Sequence, residues 1–509
     1  QEEILRTMHI RVAAGAELVS PKQLIVAGVE LESRGKLSGV EHLSIGGAGY
    51  VTLHGSGHAS SGEEGVYSLK SVTVDGSLPS GGSSTATLRL LHEVTILSDE
   101  VQVAQGEVEV FGVVMMNATL FNLSSASAKI DGIGGSNYTT GYDEYQTGVS
   151  ASSGPGSCTS PSHQYCAGSH GGRGGMYSSD DKVYGNMFEP VTMGSGGYRT
   201  RGGAALRLDV RDLWLDGEVT MNGESKYSPY SGGGAGGSVW ITAGVLRSSE
   251  GSVSADGGAW SQYSSYGRGG GGGGRVAMYC SSSAVSTLPT LTAYGSAGYS
   301  SGSYEGGPGT VYMDCGPSKE TLEIDTGGHV RSTSTNSWLT NYLTDDMTTG
   351  RPIKKLHLKR RAHAVVTVVH SASRPAYSVD VLNVTDGSTL QLMLGTTSFD
   401  VDTVHMADSS WLSVEPSSSL ATETISGSVA ALSGDATGKL LLENRTVLML
   451  SGTGNSTTSL TSLFLPTSSG ASATAGAQTV WQQQWNRLYY IRQEEILRTM
   501  HIRVAAGAE

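Results

Sequence analysis

The chain has 509 residues, 72 of them Gly, with 16% charged and 7% aromatic side chains and a formal net charge of −13. Glycine this frequent without a strict three-residue period excludes collagen. The acidic balance disfavours nucleic acid as a partner, and without a run of eighteen apolar residues no membrane-spanning helix is predicted.

Residues 493–509 read QEEILRTMHIRVAAGAE, identical to residues 1–17. The identity reads as one period, plus an overlap, of a tandem array with a period of 492 residues (493 − 1). A terminal duplication is the competing reading. Gln1 is preceded by neither an initiator Met nor a signal peptide, so the sequence reads as an excerpt from the middle of a precursor.

Over residues 1–132, apolar and polar residues alternate in bursts such as TMHIRV (7–12), KQLIVAGVELES (22–33), YVTLHG (50–55) and VQVAQGEVEVFG (101–112). Period-two alternation predicts strands with one buried face. The bursts recur about every ten residues without two-residue hairpin turns, as the sides of a coil would. Residues 133–320 are glycine-rich, and 42 of the 72 glycines fall between 131 and 310. Four segments align there on their leading glycines: GAALRLDV (203–210), GSVWITAG (237–244), GRVAMYCS (274–281) and GTVYMDCG (309–316), spaced 34, 37 and 35 residues apart. A second strand follows at a similar offset in GEVTMNG (217–223), GSVSADGG (251–258) and PTLTAYG (289–295), with AKIDGIGG (128–135) one step earlier. Units of this size bury their apolar face only by stacking on neighbours. The excursion 136–202 is read as a long loop on one face. Residues 321–477 return to strand bursts about twenty residues apart, and residues 478–509 form the junction into the next period. The predicted fold is all-β, a parallel β-helix (β-solenoid) with long glycine-rich loops.

Six N-glycosylation patterns begin at Asn117, Asn122, Asn137, Asn383, Asn444 and Asn455. The four cysteines are expected as two extracellular disulfides, Cys158 with Cys166 and Cys280 with Cys315. A zinc site is disfavoured, because no CxxC spacing or accompanying His pair exists. The basic cluster Lys354, Lys355, His357, Lys359, Arg360 and Arg361 reads either as an assembly or anion-binding patch or as a charged, solubilising strand edge. Tyr-rich loops could stack on carbohydrate or pack against one another.

Parallel β-helices also carry polysaccharide-degrading enzymes, which need clustered carboxylates. The candidates here, Asp143, Glu144, Asp180 and Asp181, sit in the glycine-rich loop and read as solvated. No nucleophile elbow and no phosphate loop occur, and His163 and His170 beside the cysteines carry no thiol-nucleophile signature. No catalytic residue, metal or cofactor is expected.

The run GGGAGGSVWITAG, GSVSADGGAW, GRGGGGGGRVAMYC, LTAYGSAG, EGGPGTVYMD, within residues 128–316, resembles glycine-rich repeats of large extracellular proteins. Among them are the mastigoneme (flagellar hair) fibre proteins of aquatic protists. The resemblance implies a right-handed parallel β-helix and a secreted, glycosylated fibre; its motif carries no functional residue. The expected partners are other copies of the chain, along a fibre or laterally, and covalent glycans. The expected place is the extracellular surface or a flagellar appendage. The alternative reading is a carbohydrate-active enzyme or glycan-binding adhesin on the same scaffold. About 20 coils at roughly 4.8 Å would give one period a length near 100 Å.

Overall fold

The computed structural model describes residues 9–14, 16–55, 65–77, 85–136, 154–157, 166–175, 183–225, 231–248, 250–259, 269–283, 288–296, 305–316, 320–328, 340–344, 353–367, 377–393, 398–406, 411–414, 419–424, 439–442, 447–450 and 501–504. It divides into two units, residues 1–319 with 331–338, and residues 320–330 with 339–509. The described residues contain no helix, and the strand pairings among them are parallel.

The first unit begins with β1 (His9–Val12), β2 (Glu17–Ala27), β3 (Glu30–Ser33), β4 (Lys36–Gly46), β5 (Tyr50–His54) and β6 (Val66–Asp75). Two long strands follow, β7 (Ala86–Val103) and β8 (Gly106–Leu123). Next come β9 (Lys129–Asp131), β10 (Ala205–Leu215), β11 (Glu218–Thr220) and β12 (Ser238–Ser248). The last are β13 (Ser252–Ser254), β14 (Arg275–Ser283), β15 (Thr290–Thr292) and β16 (Thr310–Asp314).

These strands form two continuous parallel ladders. One runs β1, β3, β5, the first halves of β7 and β8, then β9, β11, β13 and β15. The other runs β2, β4, β6, the second halves of β7 and β8, then β10, β12, β14 and β16. β7 and β8 serve both ladders because each turns a corner midway, at His92 (φ 72°) and Gly112 (φ 102°), which are register partners. A Cβ on Gly112 would lie 2.6 Å from the His92 carbonyl oxygen, so this corner requires glycine.

Register places like on like. Leu31, Val51, Leu88, Val108, Ile130, Val219 and Val253 are successive partners in the first ladder and all are buried. In the second, Ile96, Met116, Leu208, Ile241 and Met278 do the same. Each such side chain contributes about 1.5–3 kcal/mol on burial, and the β-branched ones suit a pleated surface. Aliphatic stacks of this kind are why the core is built from Val, Ile and Leu.

The glycine-rich segments are not surface loops where they are described. Residues 166–175, 231–239 and 269–278 are buried along their whole length. Along 232–237 the backbone N–H groups turn to three different neighbours in rotation. Gly232 and Ala235 donate to Tyr198 and Ser195, Gly233 and Gly236 to Gly269 and Gly272, and Gly234 and Gly237 to Glu224 and Met221. Partners recur every third residue, in steps of three. That is the period of an extended three-residue-per-turn helix, not of a strand. The same step occurs where Gly271 and Gly274 donate to Gly258 and Ala255, and where Gly306 and Gly309 donate to Ser296 and Ala293. A Cβ on Gly236 would lie 2.0 Å from the Ala255 carbonyl oxygen. Glycine is thus required here by close backbone approach, and within the expected loop 136–202 residues 166–175 and 193–197 belong to this buried layer while Glu189 and Val191 are exposed.

The second unit holds β17 (Thr321–Asp325), β18 (Thr340–Thr344), β19 (Ile353–Lys359), β20 (His363–Thr367), β21 (Tyr377–Val384) and β22 (Thr389–Met393). Then come β23 (Ser398–Met406), β24 (Trp411–Val414), β25 (Ser419–Thr424), β26 (Lys439–Leu442), β27 (Val447–Leu450) and β28 (His501–Val504). Its odd-numbered strands, continued by β28, make one parallel ladder and its other strands a second. Leu322, Leu356 and Leu382 stack in register and are fully buried.

Two sequence expectations shift. The burst 22–33 is two strands, broken at Gly28 (φ 66°), and the burst 101–112 likewise divides between the end of β7 and the start of β8 at Ala104–Gln105. In the glycine-led alignment, Ala204 and not Gly203 stands opposite Gly237, because Ala205 pairs with Ser238. The correct spacing is therefore 33 (238 − 205), and it puts Leu206 against Val239, both buried.

Candidate functional site

A charged cluster of the first unit lies where β1 meets β3. Their register sets His9 against Glu30 and Arg11 against Glu32. Glu32 is only 8% exposed, and two guanidinium groups and two imidazoles converge on it. Arg11 Nε donates to it at 2.8 Å and Arg34 Nε at 2.9 Å, while His54 Nε2 lies at 3.3 Å and His9 Nε2 at 3.7 Å. His9 Nδ1 also lies 3.7 Å from Glu30. Burial alone would raise the Glu32 carboxyl, but the hydrogen bonds from Arg11 and Arg34 outweigh it and hold the group below its usual range. His54 is pushed the other way from a charged state: burial, then the nearby Arg34, lower its pKa despite Glu32. Both its ring nitrogens are buried without a hydrogen bond. β1 itself is held lightly, with only Val12 of its four residues buried.

A second buried polar group pins the glycine layer. His170 Nδ1 contacts the Gly236 carbonyl at 2.8 Å and Nε2 the Thr192 hydroxyl at 2.8 Å, and its ring packs on Tyr184. Burial, and then the Arg275 charge, lower its pKa to about 3, so the imidazole is neutral. Nδ1 therefore donates to the carbonyl and Nε2 accepts from Thr192. Arg275 is fully buried and donates to the Tyr184 carbonyl and to Thr310 Oγ1. Cys166 beside this layer is buried and disulfide-bonded, so His170 faces no thiol nucleophile. Sequence reading considered His170 only as a partner for cysteine; its place in a three-residue-period backbone layer leaves no local motif.

The expected basic patch is largely neutralised within its own unit. Lys354 Nζ lies 2.8 Å from Glu320, Lys359 pairs with Glu323, and Arg360 Nε donates to Asp325 at 2.6 Å. β17 supplies Glu323 and Asp325 in register with His357 and Lys359, so the two bursts neutralise each other. Lys355 and Arg361 form no ion pair among the described residues. Arg360 and Arg361 both adopt positive φ, 55° and 67°, at the corner between β19 and β20.

Cys280 and Cys315 are joined by a disulfide with Cα atoms 4.5 Å apart, one step beyond the Tyr279–Asp314 pair of β14 and β16. Cys158, Asn137, Asn444, Asn455, His163 and the loop acids Asp143, Glu144, Asp180 and Asp181 lie outside the described residues. Asn117 is exposed on β8 and lines an open groove of about 1000 Å³ with Glu41, Lys70, Asp99, Asp209 and Arg211. Asn122 is half-buried. Asn383 is half-buried too, with its amide oxygen enclosed and unbonded. Of the described tyrosines of the glycine region, Tyr312 is buried and meets Phe188 edge-on at 4.7 Å, and the half-buried Tyr279 donates to the Phe188 carbonyl.

Among the described residues no three His, Cys, Asp or Glu side chains come together as a metal site, and no helix is long and apolar enough to cross a membrane. Comparison with protein-family models, curated proteins and solved structures finds no match.

Proposed function

We propose that the chain is a structural, fibre-forming extracellular glycoprotein whose parallel ladders are the faces of a β-helix, repeated every 492 residues along a filament at a cell surface or flagellum. The observation that carries the reading is the pairing pattern. Each ladder is parallel and steps forward along the sequence, so it can be extended at its ends without changing geometry. The cross-strand disulfide and the hydrogen-bonded glycine layer stiffen the first unit against axial load. Asn117, exposed beside its groove, is the best placed described sequon for an outward glycan.

Electron microscopy of the secreted chain tests the proposal. Regular hairs with a constant axial repeat support it. Discrete particles that cleave or bind a defined polysaccharide would replace it with the enzyme or adhesin reading.

A further inference from the structure

Two of the six N-glycosylation patterns fall on β8, at Asn117 and Asn122, and the strand presents them differently. Asn117 is exposed, whereas Asn122 is half-buried. Their neighbours differ too. Asn117 has Leu97 and Asp209 as register partners, and Asn122 has Gln102 and Trp214. Phe121 and Leu123 on either side of Asn122 are buried, and so are Leu213 and Leu215 on either side of Trp214. Asn122 and Trp214 therefore stand side by side on the outer face, on strands about 4.8 Å apart.

Trp214 is 42% exposed. Among the described residues neither its indole N–H nor the Asn122 amide makes a hydrogen bond. Asp212, two residues earlier on the same strand, shares the outer face and gathers two arginines. Arg211 Nε donates to it at 2.9 Å, and Arg247 donates twice, from Nη2 at 2.6 Å and from Nε at 2.9 Å. Arg247 sits in the bulge between the Leu213–Leu246 and Trp214–Ser248 pairs, and its side chain remains 43% exposed. A flat aromatic face beside an oriented guanidinium suits a pyranose ring. The negative face of the indole attracts the sugar's polarised C–H groups, and the arginine donates to its oxygens.

We propose that Asn122 carries an N-linked glycan whose first N-acetylglucosamine lies on the Trp214 indole, with Arg247 donating to an oxygen of that sugar. The inference rests on the glycoprotein part of the proposed function and adds a place where the glycan is held against the ladder. Attachment joins Asn122 Nδ2 to the anomeric carbon of a lipid-linked sugar pyrophosphate. The bond from that carbon to the phosphate oxygen breaks, the lipid pyrophosphate leaves with the electron pair, and the amide gives up one proton.

The test uses the full chain secreted from a eukaryotic cell, treated natively with peptide N-glycosidase and then cut at Phe121 by chymotrypsin, so that mass spectrometry reads the two sites separately. We expect a glycan on Asn122, released at least tenfold more slowly than that on Asn117. Trp214→Leu should speed its release at least fivefold, and Trp214→Tyr, which keeps a flat aromatic face, should leave it slow. A second measurement leaves Trp214 in place. Its oxidation by N-bromosuccinimide should be at least threefold slower in the glycosylated chain than in Asn122→Gln. A glycan on Asn122 that leaves Trp214 oxidation unchanged overturns the proposal. Glycans on other sequons with Asn122 bare also overturn it and leave the glycoprotein reading standing. A secreted chain with no glycan at all overturns both.

Discussion

At the scale of single residues, glycine is an acceptor of neighbours more than a source of flexibility. Gly236 has a carbonyl oxygen where its Cβ would sit, so Gly236→Ala must push the Ala255 backbone away. We expect a loss of at least about 3 kcal/mol, read as a lower urea midpoint. Gly28→Ala meets open space and suffers only its positive φ, so it should lose about 1–2 kcal/mol. Buried imidazoles add acid sensitivity. The pKa of His170 falls from 6.5 to about 3 on folding, so below pH 6.5 the unfolded chain takes up a proton that the folded chain refuses. Stability should fall by roughly 4–5 kcal/mol from this group between pH 6.5 and 3. Glu32 has a lowered pKa; its contribution is present above the ordinary carboxylate value of 4.5 and lost only as pH falls below it. A slope already present between pH 6.5 and 4.5, and reduced in His170→Asn, is the expected signature in urea titrations. None of this was legible in the sequence, because His170 meets Gly236 and Thr192 only through the glycine layer.

Elements were more legible than their joints. The four glycine-led segments marked real strands, because inward positions such as Leu208, Ile241 and Met278 repeat an apolar residue on successive register partners, whereas the burst 101–112 straddles the end of β7 and the start of β8. Aligning on glycine nevertheless misplaced the first segment by one residue. Ala204 takes the glycine position there, and only the buried pairing of Leu206 with Val239 fixes the register. Corners were hidden as well: those at His92, Arg360 and Arg361 use left-handed backbone at residues that do not advertise it. The basic burst 354–361 read as either an assembly patch or a solubilising strand edge because its neutralising acids, Glu320, Glu323 and Asp325, lie 34 to 36 residues away in sequence and come alongside only through parallel pairing. A charge reversal tests that pairing. Asp325→Lys should destabilise the second unit by about 1–3 kcal/mol, and Arg360→Glu should recover part of the loss, as read from urea midpoints in a double-mutant cycle.

For the whole molecule, the glycan and the ladder axis are the features a filament would display. Asn117→Gln should remove one glycan mass from the secreted chain, whereas Asn383→Gln, at a site with an enclosed amide, should leave the mass unchanged apart from the substitution itself. Stiffness should come from the parallel ladders, whose strands lie across the direction in which they accumulate. Diffraction from aligned native filaments measures that arrangement most directly. A reflection near 4.8 Å along the filament axis, with one longer constant axial repeat, is the expected result. A spacing near 4.8 Å lying across the axis, or filaments that dissolve into separate globular particles with no axial order, would contradict it.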